Sequence, residues 1–230
     1  MGYIWNNLGE IVQLSVEHLT MVGIAMAISL LIALPLSVLM ARSPRLTTIV
    51  MGILGTLYTI PSIALLILLL PIFGLNQRSV IVALVVYTQI ILVRNIVAGL
   101  QGVSPILLDA AKGAGMNSWQ RWLQVQLPLA LPVILAGVRL AAVVAIAIAT
   151  IGAKFGAGGL GTLLFDGIAQ NRYDKIVAGS IVVALLALAV NYLLLALEDY
   201  FDTEKRIARQ TKQAPATSQL ELAQSWYRRG

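Results

Sequence analysis

Residues 104–128 of this chain read SPILLDAAKGAGMNSWQRWLQVQLP, a polar segment set between two long apolar stretches. Ser104 can cap a helix whose first turn holds Pro105, because the N–H that proline lacks would have no partner there in any case. The loss of such a cap costs a helix on the order of 1 kcal/mol. The segment therefore predicts that a short helix begins at residue 105, outside the apolar stretches.

The same segment predicts where that helix ends and where another begins. Gly115 can end the first helix in a left-handed conformation, and Asn117 or Ser118 can cap a second short helix. The expected result is a helix, a turn and a second helix, which we call the elbow (residues 103–126).

Small and aromatic side chains divide the elbow into two surfaces. Ala110, Ala111 and Ala114 give its first helix a low face that can enter a groove on another protein. Trp119 and Trp122 can anchor its second helix against a bilayer or against the apolar stretches. The elbow is therefore predicted to dock another molecule.

The composition on both sides of the elbow is that of a membrane protein. The chain is 59% hydrophobic and 11% charged, and its mean hydropathy is +0.87, which leaves a soluble globule too little polar surface. About 20 apolar residues cross a bilayer as a helix, and continuous apolar runs exclude the alternating pattern of barrel strands. We predict an all-α integral membrane protein with about five transmembrane helices, at residues 20–40, 48–73, 79–100, 127–151 and 176–197.

Basic residues are distributed unevenly between the two alternating sets of loops. One set holds ten of the 16 lysines and arginines, namely Arg42, Arg45, Lys112, Arg121, Lys205, Arg206, Arg209, Lys212, Arg228 and Arg229. The other set holds four, namely Arg78, Lys154, Arg172 and Lys175. The positive-inside rule makes the first set cytoplasmic, with the N-terminus outside and the elbow and C-terminus inside a cell (inner or plasma) membrane. We therefore attribute the net charge of +6 to the orientation of the chain in the membrane, and no motif supports binding to nucleic acid.

The two ends of the chain differ from its middle. Residues 1–19 place apolar side chains on one helical face and predict an external interfacial helix, with a simple extension of the first span as the alternative. Residues 20–200 form the predicted transmembrane domain. Residues 201–230 form a cytoplasmic tail that we expect to be partly disordered.

Several kinds of site are excluded or disfavoured. The chain has no cysteine and a single histidine, His18, so we expect no metal site. It also has no G-x-x-x-x-G-K-[ST] loop that would cradle nucleotide phosphates. Gly156, Gly158 and Gly161 match the spacing G-x-G-x-x-G, but a membrane helix precedes them in place of the strand that a dinucleotide site needs. We expect these glycines to bend the backbone at a pore mouth, before a short re-entrant or interfacial helix over residues 163–168.

Polar residues inside the spans mark a candidate pathway. Pro61 lies within Tyr58-Thr59-Ile60-Pro61-Ser62 and predicts a kink in a helix that lines the interior, with a bent packing helix as the alternative. Thr59, Pro61 and Ser62 are therefore candidate pathway or gating residues.

The charges and aromatic rings inside the spans suggest further roles. Arg139 lies about 16 Å past the start of its span, so it should face the interior and pair with a carbonyl or polar side chain. We expect it to act in the pathway or its gating, with a purely structural role as the alternative. Arg94, near the cytoplasmic end of its span, can snorkel and is expected to be structural. Tyr58 and Tyr87 could offer cation–π contacts, although packing is the usual role of such residues.

The elbow resembles a known family signature. Asp109-Ala110-Ala111, three residues, Gly115, nine residues and Val125-Gln126-Leu127-Pro128 are similar to the E-A-A-x3-G-x9-I-x-L-P signature of permease subunits of bacterial ABC importers. The resemblance implies that the elbow holds the coupling helix of that family. Asp109, Ala110, Ala111 and Gly115 would then dock on a cytosolic ATPase, and Leu127 and Pro128 would begin the next span. Asp109 in place of glutamate shortens the carboxylate by one methylene, and Val125 replaces isoleucine.

Three further segments resemble the permeases of osmoprotectant uptake systems, namely Thr59-Ile60-Pro61-Ser62-Ile63-Ala64-Leu65, Arg94-Asn95 and the glycine-rich residues 156–161. This resemblance implies the import of glycine betaine, carnitine or choline, and it adds Asn95 to the candidate pathway. It also implies cytosolic ATPase subunits that carry the ATP and Mg, a second permease chain and an external substrate-binding protein. The chain itself would be no enzyme and hold no cofactor. A permease for another solute such as methionine, and a stand-alone channel or scaffold, are the alternatives.

Overall fold

The computed structural model describes residues 2–202, and every regular element in that range is helical. The main helices in chain order are α1 (Gly2–Asn6), α2 (Leu8–Ala41), α3 (Pro44–Tyr58), α4 (Ser62–Phe73), α5 (Gln77–Gln101), α6 (Pro105–Gly113), α7 (Ser118–Arg121), α8 (Leu127–Gly152), α9 (Gly161–Ala169) and α10 (Tyr173–Phe201). A π-helical segment, Trp122–Gln126, joins α7 to α8, and a 3-10 turn, Ala153–Phe155, follows α8. The predicted all-α fold is confirmed.

The predicted number of membrane spans is confirmed as well. Four helical stretches are long and apolar enough to cross a bilayer, namely Leu8–Ala41, Gln77–Gln101, Ser118–Phe155 and Tyr173–Phe201. A fifth span results if the bent pair α3 and α4 counts as one. The chain is therefore a multi-pass membrane protein, as continuous apolar runs of this length require.

Helix α5 lies at the centre of the bundle. It packs against α2 on one side and α8 on the other, and α8 in turn packs against α10. Polar groups join α2 to α5: the hydroxyls of Ser29 and Thr88 lie 2.7 Å apart, and the Gln89 amide donates to the Ser29 carbonyl at 3.1 Å. Such bonds between helices are favourable in lipid, where water offers no alternative partner.

One predicted boundary is wrong, and one predicted bend is sharper than expected. Helix α2 begins at Leu8 and runs unbroken to Ala41, so residues 8–19 extend the first span and no helix boundary falls at residue 19. The stretch 48–73 is two helices that meet at 92°, because Pro61 cannot donate a backbone hydrogen bond and residues 59–61 leave the helical conformation. The first span therefore follows the alternative, and the predicted kink is a complete break.

The two ends of the bundle are built differently. At one end, which we call the elbow end, α7 lies beside the last turns of α2, and α6 packs against α7 and the π-helical segment. At the other, the loop end, residues 156–159 lie beside Glu17 and His18 of α2 and beside the residues just before α5, and α9 packs against α10. The short helix predicted at 163–168 is confirmed within α9, whereas the predictions for residues 203–230 lie outside the described residues.

Candidate coupling elbow and membrane cavity

The elbow has the predicted local structure. Helix α6 begins at Pro105 and closes on Gly115, whose φ is +84°. The Met116 N–H donates to the Ala111 carbonyl at 3.1 Å, and the Gly115 N–H donates to the Lys112 carbonyl at 3.0 Å. These two bonds form a Schellman motif, which favours glycine at the left-handed position.

The second elbow helix begins with a capping box. The Asn117 side chain accepts from the Gln120 N–H at 2.9 Å, and the Gln120 side chain accepts from the Asn117 N–H at 2.9 Å. The side chain of Ser104, by contrast, makes no capping hydrogen bond to α6, so that part of the prediction is wrong. Pro105 starts α6 without it, because the ring fixes a helical φ.

The candidate coupling residues do not share one surface. Asp109, Ala110 and Gly115 are exposed, whereas Ala111 is buried with 8% of its surface accessible. In residues 2–202 the Asp109 carboxylate has neither an ion pair nor a hydrogen bond. The prediction that Ala110, Ala111 and Ala114 form one docking face is therefore wrong. Ala111 packs against the rest of the chain, whereas Asp109 and Ala110 are exposed.

Two tryptophans connect the elbow to the first span. The rings of Trp119 and Trp122 stack with centroids 5.4 Å apart. Both line an apolar groove of about 860 Å³ whose opposite wall is the second half of α2. Leu127 lines the same groove and is the first residue of α8, with Pro128 next to it. The elbow is thus joined without a break to α8, because the π-helical segment continues α7 into that span.

The break between α3 and α4 holds the first group of candidate pathway residues. Thr59 and Pro61 are exposed, and Ser62 is half-buried. The Tyr87 hydroxyl, on α5, donates to the carbonyl of Ile60 in the break. This contact gives a partner to a backbone group outside the helices, which lipid could not supply.

A cavity of about 250 Å³, which we call the central cavity, lies beside this break. Its polar wall consists of Tyr58, Arg94 and Asn95, and its apolar wall consists of Ile90, Ile91, Leu140 and Val144. The Asn95 amide donates to the Ile91 carbonyl at 2.8 Å. The cavity is therefore lined by Asn95 and by Tyr58, the last residue of α3, whereas Thr59, Pro61 and Ser62 of the break do not line it.

Arg139 lies elsewhere, between α8 and α10. Its Nε donates to Glu198 Oε2 at 3.1 Å, and its Nη1 donates to Asn191 Oδ1 at 3.4 Å. Pairing with a polar side chain is as predicted for a charge inside a span. Arg139 does not line the central cavity, and neither do Thr59, Pro61 and Ser62, so Asn95 is the one candidate pathway residue in the lining of this cavity.

The glycine-rich loop is attached to the first span. Gly156, Gly158 and Gly159 have φ values of +75° to +77°, which only glycine adopts readily. The Gly159 N–H donates to Glu17 Oε2 at 3.3 Å. His18 is fully buried beneath this loop, with its Nε2 3.2 Å from the Ile146 carbonyl on α8.

Sequence reasoning missed three of these residues. Glu198 lies within α10 and neutralises Arg139, a pairing that the sequence did not predict. Glu17 and His18 gave no signal beyond being polar residues near an apolar run. A charge inside a span needs a partner, and the last turns of α10 carry two acids, Glu198 and Asp199. That signal could have identified Glu198 as the partner of Arg139.

Comparison with known proteins places these features in one family. The model of the family described as "Binding-protein-dependent transport system inner membrane component" matches residues 33–207. The osmoprotectant import permease protein OsmW of Salmonella typhimurium is 38% identical over 201 residues, which cover 85% of this chain and 94% of that protein. The glycine betaine/carnitine/choline transport system permease protein OpuCB of Bacillus subtilis is 34% identical over 198 residues, which cover 86% and 91%. The carnitine transport permease protein OpuCB of Listeria monocytogenes is 38% identical over 182 residues, which cover 79% and 84%.

Solved structures share the fold. The inward-facing MetNI methionine ABC transporter contains a chain that matches with a TM-score of 0.72 at 21% identity, over 80% of this chain and 93% of that one. An amino acid ABC transporter crystallised with histidines matches with a TM-score of 0.67 at 20% identity, over 88% and 97%. With the family match and the capped elbow between two spans, these similarities show that the chain belongs to the family of binding-protein-dependent transport system inner membrane components.

Proposed function

We propose that this chain is the transmembrane permease subunit of an ATP-driven importer of osmoprotectants such as glycine betaine, carnitine or choline. The observation that carries the substrate class is the 38% identity to the osmoprotectant permease OsmW, which extends over 94% of that protein. Similarity to the methionine transporter, at 21% identity, concerns the fold and gives no support to methionine as a substrate.

ATP hydrolysis in this proposal belongs to separate cytosolic subunits, which hold the ATP and Mg. The elbow supplies the contact, because α6 is a short helix that exposes Asp109 and Ala110. Ala111 seats α6 on the chain, and Gly115 closes it. Leu127 and Pro128 begin α8, so a displacement of the elbow passes directly into a membrane span. Closure of the ATPases would thereby drive a two-state change between outward and inward forms.

The remaining partners follow from the size of the bundle and from its charges. Five spans enclose little volume, so a second permease chain, the same or homologous, completes the pathway beside Thr59, Pro61, Ser62 and Asn95. Arg139 either contributes to gating or stabilises the contact between α8 and α10. An external binding protein delivers the solute to the loop end, and the elbow end lies in the cytosol, as the basic residues favour.

Uptake into liposomes tests this proposal. The chain is purified with the ATPase and binding protein encoded beside its gene, reconstituted, and supplied with radiolabelled solutes with and without ATP. We expect ATP-dependent and binding-protein-dependent uptake of at least one osmoprotectant, and none of methionine. Uptake of methionine alone would show that the proposed substrate class is wrong. Flux that needs no ATPase would favour a stand-alone channel.

A further inference from the structure

The central cavity is lined by a charged side chain, that of Arg94. Arg94 lies about two helical turns, or about 10 Å, before Gln101 at the end of α5. Within residues 2–202 its guanidinium has no ion pair and no hydrogen bond. Arg139, the other arginine inside a span, is neutralised by Glu198 at 3.1 Å. Because a guanidinium remains charged at all relevant pH values, Arg94 presents an unused anion-binding group to the cavity.

An aromatic ring forms the other polar part of the wall. Tyr58 packs edge-on against Tyr87, with ring centroids 5.8 Å apart and planes at 70°. The Tyr87 hydroxyl is occupied by the Ile60 carbonyl, whereas Tyr58 is 44% exposed and lines the cavity. An exposed aromatic face attracts quaternary ammonium groups through its quadrupole.

The rest of the wall fits a compact ligand with methyl groups. Ile90, Ile91, Leu140 and Val144 are aliphatic, and one hydrogen of the Asn95 amide is not used by the Ile91 carbonyl. The volume of about 250 Å³ is below the range typical of drug-sized ligands and suits a small solute.

We propose that the central cavity is a solute-binding site within the membrane, selective for osmoprotectants that carry both a quaternary ammonium and a carboxylate. The trimethylammonium group lies against the Tyr58 ring, and the carboxylate binds the Arg94 guanidinium and the Asn95 amide. This inference rests on the proposed import of osmoprotectants and specifies their chemical class.

The site discriminates between two kinds of solute. Glycine betaine and carnitine have both charged groups, so each can satisfy the ring and the guanidinium together. Choline has the ammonium but a hydroxyl where the others have a carboxylate, and the unpaired charge of Arg94 repels it. The chain therefore prefers glycine betaine or carnitine to choline at the membrane step.

Paired substitutions in the reconstituted complex test the site. Arg94→Gln should lower glycine betaine uptake about tenfold or more while choline uptake stays level or rises, because a charged hydrogen bond is lost only for the carboxylate. Arg94→Lys keeps the charge and should recover part of the uptake. Tyr58→Leu should lower uptake of both solutes severalfold, and Tyr58→Phe, which keeps the ring, should lower it less than Tyr58→Leu does.

Binding without the external protein provides the second readout. Radiolabelled glycine betaine should be retained by the detergent-solubilised wild-type complex, and Arg94→Gln should lose that retention while still co-purifying with its ATPase. An equal loss for glycine betaine and choline in Arg94→Gln would assign Arg94 a structural role and overturn the site. Equal uptake of both solutes by wild type would overturn the selectivity, whereas wild-type uptake of neither would mean that the proposed function itself has failed.

Discussion

The two arginines inside the spans show how the same residue type acquires different roles. Arg139 bridges α8 and α10 through Glu198 and Asn191, whereas Arg94 faces a cavity. The Arg139 side chain is 30% exposed and that of Glu198 is 14% exposed, so the pair is neither fully buried nor fully open to its surroundings. An ion pair of this kind costs more when it is broken on one side than when it is replaced as a unit.

We expect Glu198→Gln to destabilise the chain by about 1–3 kcal/mol, because Arg139 keeps its charge and loses its counter-ion. The double variant Arg139→Met, Glu198→Leu should return most of that stability, since no charge is then left unpaired. The midpoint of thermal unfolding in detergent measures both. Midpoints for Glu198→Gln equal to wild type would mean that the pair contributes nothing to the contact between α8 and α10.

At the scale of elements, the elbow depends on a helix end that only glycine forms without strain. We expect Gly115→Ala to destabilise the turn by about 1–2 kcal/mol, because the φ of Gly115 is +84°, a value that alanine adopts only with strain. A Cβ at this position meets no atom within 4 Å, so the expected effect comes from the backbone conformation and not from a clash. Because α6 would then be displaced, the Gly115→Ala variant should retain less ATPase on purification and transport solute more slowly.

Gly113→Ala is the matched control, because Gly113 lies in α6 and a Cβ there also meets nothing within 4 Å. It should leave ATPase retention unchanged, since alanine favours the helix. Equal retention by Gly115→Ala and Gly113→Ala would show that the left-handed turn is unimportant for docking.

The break between α3 and α4 is the second element whose geometry can be tested. Tyr87→Phe removes the hydroxyl that donates to the Ile60 carbonyl, and it should lower stability by about 1 kcal/mol because lipid offers that carbonyl no donor. Tyr58→Phe is the control, since no hydrogen bond to the Tyr58 hydroxyl is present in the described part of the chain. Thermal midpoints in detergent compare the two, and a fall of similar size in both would leave the Ile60 contact without a special role.

At the scale of the whole molecule, the bundle has two distinct ends. The elbow lies beside the end of α2 and the glycine-rich loop lies beside its beginning, so the two must face opposite sides of the membrane. The uneven distribution of basic residues predicts that the elbow faces the cytosol.

Labelling of single cysteines tests this orientation, and the chain makes the experiment simple because it has no cysteine of its own. Lys112 on the elbow and Asn171 after α9 are both exposed. In right-side-out membrane vesicles, an impermeant maleimide should label Asn171→Cys at once and Lys112→Cys only after the membrane is opened. The reverse order would invert the topology and remove the elbow from any cytosolic partner.

The sequence by itself determined the helical spans, the start of α6 at Pro105, the left-handed Gly115, the cap at Asn117 and the start of α8 at Leu127. These features depend on apolar length and on contacts within about one helical turn, so neighbouring residues are sufficient to specify them.

Only the tertiary structure decided that Ala111 is buried while Ala110 is exposed, that Glu198 pairs with Arg139, and that Arg94 shares a cavity with Tyr58. The structure also shows a 92° break at Pro61 where the sequence predicted a kink, and the Tyr87 hydroxyl donates to the Ile60 carbonyl in this break. The ion pair, the shared cavity and the contact at the break each join residues of different helices or loops that lie far apart in the chain, and the burial of Ala111 depends on how α6 packs against the rest of the elbow. Helix periodicity specifies which side chains share a face, but the packing of the helices determines what that face meets.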